Sequence, residues 1–84
     1  MKLNIKALAL AVGIIWGAGM FFVGIINLSY PEYGALFLTV MSSIYPGYDP
    51  FTGISSVLIG TLYGFVDAGI GGALLAWLYN VFAK

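Results

Sequence analysis

The sequence predicts an all-α membrane protein in which two transmembrane helices form an antiparallel hairpin, with an interfacial amphipathic helix in the connection. Composition is the first reason. Of the 84 residues, 62% are hydrophobic and 7% are charged, whereas a soluble domain carries about 25% charged residues. These few polar side chains cannot cover the surface of a water-soluble domain of this size. We therefore expect residues 1–84 to form a single membrane domain.

The first long apolar run, residues 7–28, predicts the first span. Its 22 residues carry no charge, and at 1.5 Å per residue they cover about 33 Å, enough for a hydrocarbon core of about 30 Å. The alternative is a cleaved signal peptide, because Lys2 and Lys6 precede the run. A signal peptide has a shorter apolar region, about 7–15 residues, followed by a small-residue cleavage site. No such site follows in register, so we expect a retained span.

The second long run, residues 50–82, predicts the second span. Asp49 suits the N-cap of this helix, and Pro50 suits its first position, where the missing N–H group costs nothing. Its apolar centre is interrupted by one charged residue, Asp67.

The connection predicts an interfacial helix over residues 30–44. Ser29 and Glu32 fit a capping box, and the apolar residues that follow fall on one side of a helix: Tyr33, Leu36, Phe37, Val40, Met41 and Ile44. The segment is too short to span, so we expect it to lie in the membrane interface, to pack on the outer ends of the spans, or both. Pro46 and Gly47 then predict a type II turn within residues 45–49.

The lysines predict the topology. Lys2, Lys6 and Lys84 lie at the two ends of the chain, and the connection between the spans contains no basic residue. Cytoplasmic segments are enriched in Lys and Arg, so we expect a multi-pass protein of the cytoplasmic membrane with both termini in the cytoplasm.

Glycines at helical spacing predict close contact between the two spans, since small residues let membrane helices approach. An antiparallel register aligns the glycine stripes of the two spans: Gly13 with Gly71, Gly17 with Asp67, Met20 with Gly64, and Gly24 with Gly60. The second span has a further small face, which we expect to meet another copy of the chain in a homo-oligomer: Ala68, Gly69, Gly72, Ala73 and Ala76.

Asp67 is the main candidate for a functional residue. An acid at the centre of a membrane helix costs about 2.5–3.5 kcal/mol, so it normally faces protein or a water-filled interior. Tyr63, one turn earlier, and Trp16, beside Gly17, are the nearest candidate hydrogen-bond donors. Asp67 either takes part in an ion or proton pathway or joins helices through its carboxyl group.

The absence of certain residues excludes several kinds of chemistry. The chain has no Cys and no His, so thiol redox chemistry, zinc sites and histidine acid–base catalysis are not available. Three lysines without arginine make no basic patch for nucleic acid. We therefore expect no catalytic residue, no cofactor and no metal, and as partners the lipid bilayer and further copies of the chain.

Two segments, SSIYPGYDPF and GTLYGFVDAGIGGALLAWLYN, resemble a family of small two-span prokaryotic membrane proteins commonly labelled bacteriophage holin. The resemblance covers nearly the whole chain. It implies a two-span fold in a prokaryotic inner membrane and a holin-like or channel-like oligomer. Two alternatives stay open: a non-catalytic accessory subunit of a larger membrane complex, and proton translocation through Asp67.

Overall fold

The computed structural model describes residues 2–83, and within them the chain forms three α-helices: α1 (Ile5–Ser29), α2 (Ala35–Ile44) and α3 (Ile54–Phe82). The helices α1 and α3 are long and apolar enough to cross a membrane, and only 22% of the most apolar 18 residues of each are buried within the chain. The predicted all-helical fold with two candidate spans is therefore confirmed.

An asparagine lies near each end of helix α1 and bonds to the backbone there. The helix begins at Ile5 because the Asn4 side chain accepts a hydrogen bond of 2.9 Å from the Ala7 N–H group, as an N-cap does. Near its other end, the buried Asn27 amide donates to the carbonyl oxygens of Pro31 (3.0 Å) and Tyr33 (2.8 Å). These two bonds turn the chain back toward the hairpin after Ser29.

Helix α2 begins at Ala35, later than the predicted residue 30. Ser29 is the last residue of α1, so it does not cap α2, and the predicted capping box with Glu32 does not form. Residues 30–33 form a turn, and Gly34 has a φ of 64°. This left-handed conformation, which glycine adopts readily, separates the turn from the helix.

Helix α3 begins at Ile54, later than the predicted residue 50. Phe51 and Gly53 have φ angles of 73° and 98°, and a right-handed helix requires a negative φ. Residues 50–52 form a turn instead, in which the Thr52 hydroxyl donates to the Asp49 carbonyl oxygen at 2.7 Å. Asp49 and Pro50 therefore belong to the connection and not to the helix.

Helix α2 runs back along α1. Gly34, just before α2, lies against Val23, and the Phe37 ring packs edge-on against Trp16 with the ring centroids 5.9 Å apart. Val23 and Trp16 are separated by about 10 Å along the axis of α1. The connection therefore reaches from the end of the hairpin toward its middle, where Met20, Leu38, Tyr45 and Tyr48 form the buried core.

The predicted apolar stripe of α2 is divided between two sides. Phe37 and Met41 pack against the core, together with the buried Leu38. Leu36, Val40 and Ile44 are exposed on the other side. Helix α2 thus packs on the hairpin, which is one of the two positions that the sequence left open, and contact of its outer side with a membrane interface stays a prediction.

Helices α1 and α3 are antiparallel and packed through small residues, but in a register three residues from the predicted one. Gly17 lies against Gly64 and not against Asp67, and Gly24 lies against Val57 and not against Gly60. Gly13 contacts Phe65. Of the four predicted pairs, only the contact of Met20 with Gly64 is found.

The small residues of α3 that contact α1 also differ from the prediction. Gly72 is buried against Leu8, Ala9 and Val12, whereas a side chain added at Gly71 would meet nothing within 4 Å. Ala76, on the same side as Gly72, is fully buried. Gly72 and Ala76 of the face that was expected to meet a second subunit are therefore buried within the chain, whereas Ala68 and Ala73 of that face stay partly exposed.

The first and last residues of the described chain lie together, at the opposite end of the hairpin from the connection. The Leu3 N–H group donates to Asn80 Oδ1 at 2.7 Å, and Asn80 Nδ2 donates to the Leu3 carbonyl oxygen at 2.9 Å. The Lys2 ammonium donates to the Asn80 carbonyl oxygen at 2.7 Å. Both ends of the described chain therefore lie at the same end of the hairpin, and the side of a membrane that this end faces stays a prediction.

Candidate functional site

Asp67 lies near the middle of α3, on the outside of the hairpin. It is exposed, as are Val66 before it and Ile70 one turn later. It opens onto a groove of about 370 Å³ lined by both helices, which we call the Asp67 groove: Val12 and Trp16 from α1, and Asp67, Ala68, Gly71, Gly72 and Leu75 from α3. The carboxyl group is thus beside the helix–helix contact and not within it.

The connection supplies a hydrogen-bond donor to this carboxyl group. The Tyr45 hydroxyl donates to Asp67 Oδ2 at 2.8 Å, and the Trp16 indole N–H donates to the Tyr45 hydroxyl oxygen at 3.2 Å. An indole nitrogen donates and does not accept, so the bond from Trp16 leaves the tyrosine proton free to point toward Asp67. The three side chains form a directed series that ends on the carboxyl group.

The turn after α2 holds Tyr45 in place. The Tyr45 ring, 4% exposed, stacks on the Tyr63 ring with centroids 5.1 Å apart and planes 5° apart. The Tyr63 hydroxyl donates to the Pro46 carbonyl oxygen, and the Tyr48 ring covers Gly60. Two aromatic side chains therefore fasten the turn to the first half of α3.

The turn has the geometry that its sequence predicts. The Tyr48 N–H group donates to the Tyr45 carbonyl oxygen at 3.1 Å, and Gly47 has a φ of 81°. A type II turn requires a positive φ at its third residue, which glycine permits. Pro46 and Gly47 thus reverse the chain at the depth where Tyr45 meets Asp67.

Burial shifts the pKa of the two tyrosine hydroxyls of the turn, Tyr45 and Tyr48, in the same direction. Burial raises the pKa of Tyr45. The hydrogen bond from Trp16 lowers this pKa, and the nearby Asp67 raises it. Burial also raises the pKa of Tyr48. Because the ordinary phenol pKa is about 10, both groups keep their protons at neutral pH, and Tyr45 remains a donor.

Sequence reasoning named Trp16 and Tyr63 as donors to Asp67, and neither donates to it directly. Trp16 acts one step away, through Tyr45, while Tyr63 bonds to the turn. Tyr45 was not among the predicted donors, because it was assigned to the turn of residues 45–49. A tyrosine that follows an amphipathic helix carries no sequence signal for contact with the middle of another helix, so only the tertiary structure identifies this donor.

A second groove lies on the other side of the hairpin. It has a volume of about 510 Å³ and is lined almost entirely by apolar side chains, among them Ile14, Phe21, Leu58, Leu62 and Phe65. Phe65 and Asp67 are two positions apart and so point about 160° apart around the helix. The two grooves therefore lie on different sides of the hairpin, and the acid lines only one of them.

No lysine of the described chain is close to Asp67 along the helices. Lys2 bonds to Asn80, and Lys6 lies in the first turns of α1. Leu8 contacts Gly72, which follows Asp67 by five residues, so Lys6 lies about 10 Å from Asp67 along the axis. Within residues 2–83, the carboxyl group has a tyrosine as its hydrogen-bond donor and no cation close to it.

Comparisons with known proteins add no relative. The chain matches no protein-family model, and no curated protein and no solved structure gives a significant match. The resemblance to the two-span family labelled bacteriophage holin therefore stays a prediction.

Proposed function

We propose that the protein is a non-catalytic protein of the cytoplasmic membrane that acts by lateral assembly with other membrane helices. Helices α1 and α3 are its spans, α2 and the turn lie on the outer half, and both termini lie in the cytoplasm. The position of Asp67 supports this proposal: the residue is exposed near the middle of a helix whose surroundings are apolar.

The cost of an exposed acid is what makes assembly necessary. An acidic side chain at mid-membrane costs about 2.5–3.5 kcal/mol on insertion scales, and such residues face protein or water. The single bond from Tyr45 offsets part of this cost, since a hydrogen bond to a charged group contributes about 1.5–3 kcal/mol. The remaining exposed surface of Asp67 is satisfied when another molecule covers the groove.

Two kinds of assembly meet this requirement. The first is a holin-like or channel-like homo-oligomer, in which Asp67 side chains of several copies face a shared water-filled passage. The second is an accessory subunit, in which the groove meets a larger membrane protein. The contacts of the hairpin favour the second, because Gly72 and Ala76, at the centre of the small-residue face that a second copy was expected to use, are already buried within the chain.

Proton translocation through Asp67 has less support. A proton relay needs groups that both accept and release a proton. The series that reaches Asp67 begins at Trp16, and an indole N–H is a donor only. The series therefore positions the carboxyl group and does not connect it to a proton source.

Purification from native membranes tests the proposal. The tagged chain, extracted in a mild detergent, is expected to elute with one or more larger membrane proteins at fixed stoichiometry. A complex that contains only copies of the chain would establish the homo-oligomer instead, and Asp67→Asn would then be expected to alter leakage or conductance. A monomer in native membranes after crosslinking would contradict lateral assembly altogether.

A further inference from the structure

We infer that the Asp67 groove binds a transmembrane helix of another protein that carries one Lys or Arg near its middle. The inference rests on the proposed lateral assembly and specifies the partner. Three observations support it. The groove has small residues, its hydrogen bonds leave one carboxyl oxygen of Asp67 free, and a second copy of the described chain has no cation at the right level to reach that oxygen.

The floor of the groove allows a helix to approach closely. Gly71 is exposed, and a Cβ atom at this position would meet nothing within 4 Å. Ala68, one turn earlier, also lines the groove and is partly exposed. Small residues at one face let the backbones of membrane helices come together, so the space in front of Gly71 fits a helix.

The hydrogen bonds of the groove favour a cationic partner. Tyr45 donates to Asp67 Oδ2, and its proton is directed there by the bond from Trp16. Within residues 2–83 no hydrogen bond reaches the other carboxyl oxygen, Oδ1. Oδ1 is therefore free to accept from a Lys or Arg side chain, and such charge-assisted hydrogen bonds to carboxyl groups are among the strong ones.

A second copy of the chain is a poor source of that group. In a parallel copy, Lys2 and Lys6 lie at the end of the hairpin and not at the level of Asp67. The mid-helix donors are already in use, since Thr61 donates to Val57 and Tyr63 donates to Pro46. Two Asp67 grooves facing each other would also place like charges together, which is unfavourable.

A designed transmembrane peptide provides the probe for the test. The peptide is leucine-rich with one lysine at its centre, and the matched peptides have that lysine at one end or replaced by leucine. The chain has no cysteine, so Ala83→Cys carries a single fluorescent donor. Energy transfer to the labelled peptides is then measured in phosphatidylcholine vesicles.

The central-lysine peptide is expected to bind at least tenfold more tightly than either matched peptide. Asp67→Asn and Gly71→Leu should remove this preference, the first by removing the charge and the second by filling the groove. Leu62→Ala, in the apolar groove, should leave it unchanged. Equal binding of the three peptides, or an unchanged preference in Asp67→Asn, would overturn the inference.

A crosslinking experiment separates this inference from the proposed function. Gly71→Cys in native membranes is expected to form no disulfide-linked homodimer, because the groove is filled by a different protein. A strong homodimer would overturn the inference while supporting lateral assembly. Absence of every partner in the purification described above would overturn both.

Discussion

Gly72→Leu is expected to separate α1 from α3, whereas Gly71→Leu leaves their packing intact. A Cβ atom at Gly72 would lie 3.0 Å from the Leu8 backbone oxygen and 3.2 Å from the Ala9 Cα atom. Backbone atoms cannot move aside without moving the helix, and overpacking costs about 1–3 kcal/mol or more. At Gly71 a Cβ atom would meet nothing within 4 Å.

The measurement is unfolding by SDS of protein held in dodecyl maltoside micelles, followed by tryptophan fluorescence. Gly72→Leu should unfold at much lower SDS than wild type, and Gly71→Leu at the same SDS. A second pair of variants, with alanine in place of leucine, serves as control. Gly13→Ala places a Cβ atom 2.8 Å from the Phe65 backbone oxygen, while the Cβ atom of Gly19→Ala meets nothing within 4 Å. Equal effects within either pair would show that the register of α1 and α3 is wrong.

Tyr45→Phe is expected to release α2 and the turn from the hairpin. The substitution leaves Trp16 without its acceptor and Asp67 without its donor. A hydrogen bond to a charged group contributes about 1.5–3 kcal/mol, so the loss of the bond to Asp67 is the larger part of the expected effect. We expect faster amide hydrogen exchange over residues 35–53, with the centres of α1 and α3 still protected.

A double-mutant cycle identifies the bond that causes this effect. If Tyr45 acts through Asp67, then Tyr45→Phe and Asp67→Ala should be non-additive by about 0.5–3 kcal/mol. Tyr30→Phe is the matched control, because Tyr30 is 68% exposed. Exchange in Tyr45→Phe equal to that in wild type and in Tyr30→Phe would mean that the hydroxyl does not fasten the turn.

The elements of this fold follow from local sequence. The two spans are predicted by apolar length alone, because 25 and 29 residues of α1 and α3 exceed the roughly 20 that cross a bilayer. The turn follows from Pro46 and Gly47, whose preferred backbone angles match a type II turn. These features depend on residues next to one another in the chain.

The register between α1 and α3 could not be predicted from local sequence. Nearly every residue of α3 is apolar, so hydrophobicity does not mark the side that faces α1. Gly71 and Gly72 differ by about 100° around the helix, and the alignment of the glycine stripes placed Gly71 and Asp67 against α1. That register was wrong: a donor from the connection, Tyr45, meets Asp67 from outside the α1–α3 contact.

The beginnings of α2 and α3 were missed for a related reason. Both follow residues with positive φ, namely Gly34 before α2, and Phe51 and Gly53 before α3. Gly34 lies against Val23 so closely that a Cβ atom has no space. Such conformations are selected by contacts between distant segments, and sequence rules for helix caps do not include those contacts.

The central claim is that the side of the hairpin with Asp67 is covered by protein in the membrane. Photocrosslinking tests it most directly, with benzoyl-phenylalanine placed at Leu75 in the Asp67 groove or at Leu62 in the apolar groove. Both leucines are well exposed, 58% and 65%, so the probe fits at either position. In native membranes we expect protein adducts from position 75 and lipid adducts alone from position 62. Lipid adducts alone from position 75 would contradict the account.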